Sequence, residues 1–400
     1  MQINTPYKLT ATCAFGLEAL VAQELRDLGY DDLTTENGKV TFKGTAEDIA
    51  ITNLWLRTAD RVVIQLAHFK AYDFDTLFDH VHALPWEDWL PVNAFIHIIG
   101  RSKNSKLFSI RDCQSLTKKA VIKALQRKHK VKFFEEDGPT YKIEVALKDD
   151  WVTLTADTTG ASLHKRGYRT DAGVAPLKET LAAALVILSK WDSSRILADP
   201  FCGSGTIGIE AALIALNRAP GIKREFSAQH WIGFGPVFEK MRAMARQQEK
   251  PAEFKILCSD SFAPVLKKAR QNAINAGVEE QVYFQTLECL DFKSRKKYGV
   301  IISNLPYGER LKDDLDELYA DMREVMSDLE TWSYFFLTSE RMLTKILQKQ
   351  ANKRRKLYNG KIECHFHQIY GPLPPRKPYF PVAETTDKTT VDKLEPALEE

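Results

Sequence analysis

One stretch, "RILADPFCGSGTIGIEAALIAL" (residues 195–216), constrains this chain more than any other. A short apolar run reads as a buried strand, the closely spaced glycines as a turn, and the alanine- and isoleucine-rich segment as the helix that follows. Glycine lets the backbone turn sharply and approach a ligand, whose negative group then meets a helix N-terminus. Downstream, "KILCSD", "PVLKKARQNAINAG", "VYFQTLECLDF", "GVIISNLPYG" and "SYFFLTS" continue the alternation of strands with helices. That alternation predicts an α/β fold with a doubly wound, mainly parallel sheet. A helix over 177–190 precedes the glycine strand. A basic helical stretch is expected over 341–356 and a last strand at "KIECHFHQIYG".

The first half has a different grammar. "YKLTATCAFG" reads as strand and turn, "LEALVAQELRDLG" as a helix stopped by Gly29, and "KVTFKGT" as an alternating strand. A further helix and strand complete a small α+β unit over roughly 1–70. Composition then shifts: residues 101–135 hold eleven Lys/Arg against two acidic residues, although the whole chain carries only +3. "TYKIEVALKDDWVTLTAD" closes this second unit as a β-hairpin. With 400 residues, two or three domains are expected. The tail 383–400, with six acidic and two basic residues, has almost nothing to bury and is expected to be disordered.

The six cysteines are scattered without a C-x-x-C pair, so neither a disulfide framework nor a zinc site is expected. Cys364 and His365 alternate on a strand and cannot face the same way, so no metal is assigned. No apolar run approaches the ~18 residues of a membrane span, which points to a cytoplasmic protein.

Gly203, Gly205 and Gly208 satisfy G-x-G-x-x-G, but no predicted strand ends on an acid about 20 residues later, as a nicotinamide cofactor would want. The acid at the next strand end is Asp260. Asp199, just before the turn, would repel a pyrophosphate and suits a ligand bearing an ammonium group. S-adenosylmethionine has the right groups. "SNLPYG" lies at another strand end, where ligands of such sheets sit. The Asn304 side-chain oxygen and the Leu305 carbonyl are two acceptors in a turn limited by Pro306, and they fit an NH2 group. Tyr307 offers a flat face on which a nucleobase can stack, usually worth about 1–3 kcal/mol.

"NLPYG" resembles the N/D-x-P-Y/F motif of class I amino-methyltransferases, and "DPFCGSGT" their cofactor motif. "TATCAFGLEALVAQEL", "ENGKVTFKG", "NLWLRTADRV", "KLFSIRDCQS", "HKRGYR" and "APLKETLAAALV" extend the resemblance over nearly the whole chain, to the THUMP-containing large-subunit ribosomal RNA guanine-N2 methyltransferases. The resemblance implies a ferredoxin-like region (1–70), a THUMP RNA-binding domain (71–165) and a Rossmann-like methyltransferase domain (166–382). It also implies methyl transfer from S-adenosylmethionine to N2 of a guanine in 23S rRNA, free or within a ribosomal precursor. Asp199, Phe201, Gly203 and Gly205 would hold the methionine part and Asp260 the ribose. Glu288 or Asp291 would accept from the adenine amine, and Thr180 contacts the cofactor by analogy. Asn304, Leu305, Pro306 and Tyr307 would hold the target base. Arg101, Lys103, Lys106, Lys118, Lys119, Arg127 and Lys128 are the candidate RNA contacts, with 352–356 as a second region; His164 and Tyr168 beside the linker read as packing residues. Two positions depart from the pattern: Leu305 replaces a frequent Pro, and Phe262 replaces a second acid after Asp260. A tRNA guanine-N2 enzyme, an N6-adenine DNA methyltransferase and a catalytically idle RNA-binding protein are the alternatives.

Overall fold

The computed structural model describes residues 3–131, 133–169, 177–306 and 315–375, with no side-chain description at 315 and 316. Tyr307 and the acidic tail lie outside the described residues.

The N-terminal half is built on one continuous sheet. Its strands are β1 (Tyr7–Cys13), β2 (Thr34–Glu36), β3 (Lys39–Gly44), β4 (Ala59–Lys70), β5 (Phe95–Lys103), β6 (Thr140–Lys148) and β7 (Trp151–Asp157), in the spatial order β2-β3-β1-β4-β7-β6-β5. The long strand β4 joins the two units, because its first half pairs with β1 and most of its length with β7. Along β1, β6 and β7 the apolar core residues recur at every second position: Leu9, Ala11, Ile143, Val145, Val152 and Leu154 are buried on one face. Helices α1 (Glu18–Asp27), α2 (Ala46–Trp55), α3 (Phe74–His82), α4 (Trp86–Trp89) and α5 (Ile110–His129) supply the rest of this half. Gly100 of β5 sits so close to α5 that a Cβ there would lie 3.1 Å from Gln114 and 3.3 Å from Ile110.

The second half is the expected α/β layer. Helix α6 (Glu179–Ser189) is apolar almost all round and fully packed, as a helix buried beside a sheet must be. Then follow β8 (Leu197–Asp199), α7 (Thr206–Ala215), α8 (Gly235–Gln247), β9 (Ile256–Asp260), α9 (Ala263–Ala276), β10 (Val282–Thr286), β11 (Val300–Asn304), α10 (Leu315–Asp328), β12 (Ser333–Thr338), α11 (Leu343–Ile346), β13 (Lys353–Asn359) and β14 (Ile362–Ile369). The sheet order is β10-β9-β8-β11-β12-β14-β13; the first five strands run parallel and β14 is antiparallel to both neighbours. Strand order reverses between β8 and β11, the switch point at which such sheets bind ligands.

The basic stretch 341–356 is corrected by the structure. Only Leu343–Ile346 is helical, and 353–356 open the edge strand β13. Two of its cations meet Glu363 of β14: Lys356 across the strand pair at 2.6 Å, and Arg341, from the turn before α11, at 2.9 Å. An edge strand rich in Lys and Arg also resists pairing with another chain.

Candidate active site

The two halves are fastened by buried polar groups from "HKRGYR". The Arg166 guanidinium is 3.4 Å from Glu210 of α7, and both side chains are almost fully buried. The Tyr168 hydroxyl donates to the same carboxylate at 3.1 Å, and Arg166 Nη2 donates to the Arg57 carbonyl of the N-terminal half at 2.5 Å. Arg224 donates to the carbonyls of Ala161, Ser162 and Lys165, while Trp231 stacks on Tyr141 with centroids 4.8 Å apart. Tyr168 is therefore a packing residue, as its position by the linker suggested. Burial and nearby cations push the His164 imidazole down to about 4, so it is neutral at physiological pH.

On this frame, Asp199, Asp260 and Asn304 are the last residues of β8, β9 and β11, and all three sit at the carboxyl edge of the sheet. Asp199 is buried, and burial pushes its carboxyl up to about 7; the neighbouring Asp260 acts in the same sense. Its two hydrogen bonds, from Ser303 Oγ at 2.5 Å and from the Phe201 amide at 3.2 Å, both land on Oδ1. Asp260 clasps the glycine turn: Oδ2 accepts the Gly203 amide at 2.9 Å and Oδ1 the Phe262 amide at 3.0 Å.

Each glycine has its own reason. Gly203 has φ +51° and nothing within 4 Å of where a Cβ would stand, so its backbone faces open space. Gly205 has φ +78°, and a Cβ would come 2.8 Å from the ring of Phe284. At Gly208 a Cβ would stand 2.5 Å from Cys258 Sγ, so α7 packs closely on β9 only because that atom is absent. This turn, its open side and the buried carboxylate make a cradle that fits the methionine part of S-adenosylmethionine.

Ser303 links this cradle to its neighbour in sequence, Asn304. Asn304 Oδ1 is buried and has no hydrogen-bond partner among the described residues. Such an orphan acceptor costs about 1–3 kcal/mol and marks a place where a ligand donor fits. The Leu305 side chain is fully buried, and its amide donates to the Leu337 carbonyl at 2.9 Å, so the turn leaving β11 is anchored. Glu288 precedes the short 3-10 turn after β10 and Asp291 is its last residue; both are exposed. Thr180 is buried in the first turn of α6, beside Glu179, which lies 3.2 Å from Arg169. Phe262 is 63% exposed next to Asp260, an unshielded ring at the cradle's rim.

Sequence reasoning missed Ser303, Asn272, whose amide donates to the Ser204 carbonyl at 3.1 Å, and Arg169, which donates to Thr206 Oγ1 at 2.7 Å. The candidate RNA contacts divide into two groups. Arg101 and Lys103 lie on the sheet face away from α5. Lys118 is paired with Glu136 at 2.8 Å, Arg127 lies 3.7 Å from Glu87, and Lys128 3.4 Å from Asp88. Lys106 is placed over the ring of Tyr72 at 4.9 Å, and Lys119 is exposed on α5.

Comparison with known proteins agrees with this geometry. Residues 166–368 match the family described as RMKL-like, methyltransferase domain; 8–63 match an RlmL ferredoxin-like domain and 71–157 a THUMP domain. A putative RNA methyltransferase, YpsC, of Bacillus subtilis is 42% identical over 93% of this chain and 98% of its own. The ribosomal RNA large subunit methyltransferase K/L of Syntrophotalea carbinolica is 32% identical over 90% of this chain; that match spans only 53% of the longer relative. A solved putative methyltransferase, SMU.472, complexed with SAH, superposes with a TM-score of 0.89 at 42% identity, covering 94% of this chain and all of its own. A Listeria monocytogenes structure described as a predicted N6-adenine-specific DNA methylase gives 0.87 at 44% identity, covering 92% and 97%. Among the described residues no helix is long and apolar enough to cross a membrane. The chain belongs to the RMKL-like family of THUMP-containing, S-adenosylmethionine-dependent RNA methyltransferases.

Proposed function

We propose that this chain methylates the exocyclic N2 amine of a guanine in 23S rRNA. The observation that carries the reading is the buried, unpartnered Asn304 Oδ1, one residue from the serine that touches the cofactor cradle. When bound, S-adenosylmethionine would supply an electrophilic methyl group to the amine nitrogen, the electron pair of the broken S–C bond staying on the sulfur of the departing S-adenosylhomocysteine, while one of the nitrogen's protons would leave to solvent. Asp199 Oδ2, free of both protein donors, takes the ligand ammonium. The Gly203 turn holds the methionine part, Asp260 takes the ribose hydroxyls, and Glu288 or Asp291 the adenine amine. Thr180, buried in the first turn of α6, is assigned to the same cofactor by analogy.

An aryl-type amine is a poor nucleophile because its lone pair is delocalised into the ring. Asn304 Oδ1 and the Leu305 carbonyl accept its two N–H bonds and turn the lone pair toward the methyl group. Pro306 limits the turn that aims them, and Tyr307 stacks on the base. Orientation of this kind supplies much of the acceleration, and no strong general base is required. The base must be unpaired or flipped out to reach the pocket.

The domain limits we propose are 1–70, 71–165 and 166–382. The THUMP unit favours RNA over DNA. Adenine N6 would nevertheless fit the same acceptor pair, and this keeps an N6-adenine DNA methylase as the second reading. Purified protein is incubated with labelled S-adenosylmethionine and total unmodified RNA, and in parallel with unmethylated genomic DNA; rRNA is separated from tRNA and the nucleosides of all fractions are analysed. Label in N2-methylguanosine from 23S rRNA, lost in Asn304→Ala, is the expected result. Label in tRNA, or in DNA alone, would overturn it.

A further inference from the structure

Among the described residues, helices cover the N-terminal sheet on one face. Gly100 and the buried residues of β6 and β7 face α5 and the core, so the alternate residues of every strand form a second, open face. That face encloses a groove of about 1060 Å³. Its floor carries the hydroxyls of Thr10, Thr12, Thr153 and Thr155. Six cations line it (Lys39, Arg61, Arg101, Lys103, Lys142 and Lys148) against three carboxylates, Glu36, Glu144 and Asp157.

The carboxylates are taken. Lys39 lies 2.9 Å from Glu36, Arg101 3.4 Å from Glu144, and Arg61 and Lys142 share Asp157. Lys103 and Lys148 remain. They are direct register partners on the parallel strands β5 and β6, and neither has an ion-pair partner among the described residues. Like charges placed side by side on a sheet repel; an anion between them removes that cost. At the same end, the next strand places Trp151 opposite Lys148, 41% exposed, stacked on His68 at 4.6 Å and with Lys70 5.2 Å from its ring.

We propose that this open face is a track for an unpaired segment of the RNA substrate, with a backbone phosphate held between Lys103 and Lys148. The inference rests on the RNA reading above and assigns the contact surface within it. Phosphates suit the surplus charge, and threonine hydroxyls can donate to and accept from the 2′-OH that distinguishes RNA. With one aromatic at its end and none along its floor, the groove reads backbone and places the RNA without choosing sequence. It also moves the contact away from α5, where Lys118, Arg127 and Lys128 are already neutralised by the chain's own acids.

The test uses the full chain and a fluorescein-labelled, unpaired 20-nucleotide RNA of mixed sequence. Lys103→Gln/Lys148→Gln removes the neutralisation of that one phosphate, which is worth a salt slope of about 0.7 on single strands. The slope of log K against log salt should therefore fall by about 0.7, and affinity at 0.15 M salt by roughly fourfold. Binding of S-adenosylhomocysteine and the melting temperature should stay unchanged, and Lys103→Arg/Lys148→Arg should restore RNA affinity. Unchanged RNA affinity in the double Gln variant, with loss instead in Lys119→Gln/Lys123→Gln, would overturn the groove in favour of α5. An equal loss for DNA of the same sequence, bound as tightly as the RNA, would overturn the assignment to RNA. Failure of the wild type to methylate any RNA would strike the functional reading alone, because the groove is judged by binding.

Discussion

Asp199→Asn separates the structural role of the buried carboxylate from the ligand-binding role proposed for it. Both protein donors to Asp199 use Oδ1, and an asparagine oxygen in that place accepts them equally. What the substitution removes is a charge whose pKa burial has raised from 3.8 to about 7. A carboxyl whose folded pKa lies above its unfolded one favours folding below the unfolded value, and that contribution is lost as pH rises toward and through the folded pKa. A shift of about three units amounts to roughly 4 kcal/mol against the folded, ligand-free protein at pH 8, and to about 2 kcal/mol at pH 5, where the folded carboxyl is still protonated. Asp199→Asn should therefore raise the apo melting temperature by several degrees at pH 8 and by less at pH 5. The ligand ammonium needs the ionised form, so wild-type affinity for S-adenosylhomocysteine should weaken about tenfold from pH 8 to pH 6, as the ionised fraction falls around pH 7. In the variant, affinity should be lower and flat over the same range. Calorimetric titration and thermal melting at several pH values measure both. A variant destabilised at pH 8, or wild-type affinity equal at pH 6 and pH 8, would refute the assignment.

Three further outcomes are expected. Asn304→Ala should lower kcat about 10²–10³-fold with S-adenosylhomocysteine affinity nearly unchanged, because a lost acceptor matters where the amine is oriented; single-turnover methylation and titration read the two separately. Gly208→Ala should cost about 1–3 kcal/mol of stability through the clash with Cys258 and leave cofactor affinity nearly unchanged, whereas Gly203→Ala, with open space beside it but a φ of +51° that costs an alanine about 1–2 kcal/mol, should also weaken cofactor binding; melting and titration distinguish them. Glu210→Gln should cost about 3–5 kcal/mol by leaving the buried Arg166 charge uncompensated, visible in denaturant unfolding, while Lys356→Gln at the exposed edge should change stability by less than about 1 kcal/mol.

The catalytic half was legible because its signals are local. A strand, a glycine turn and a helix follow one another within 22 residues, and the fold only has to keep them in order. The residues that complete the site were not legible for the opposite reason. Ser303 reaches Asp199 across 104 positions, and a serine inside an apolar strand carries no motif. The Arg166–Glu210 pair is 44 positions apart. Local propensity also misled at 341–356, where the charged residues 353–356 pair with β14 because cross-strand partners such as Glu363, not intrinsic preference, decide an edge strand.

Charge was the subtler failure. The eleven cations of 101–135 stand out in sequence, yet Glu87, Asp88 and Glu136, which neutralise three of them, come from before the run and just after it. Conversely, Lys148 lies outside the run and gains its meaning only from register, which sets it beside Lys103. A net count along the chain registers how much charge is present; which charges remain for a phosphate is decided by strand pairing, and that is why the open sheet face, and not the lysine-rich helix, is where RNA contact should be sought.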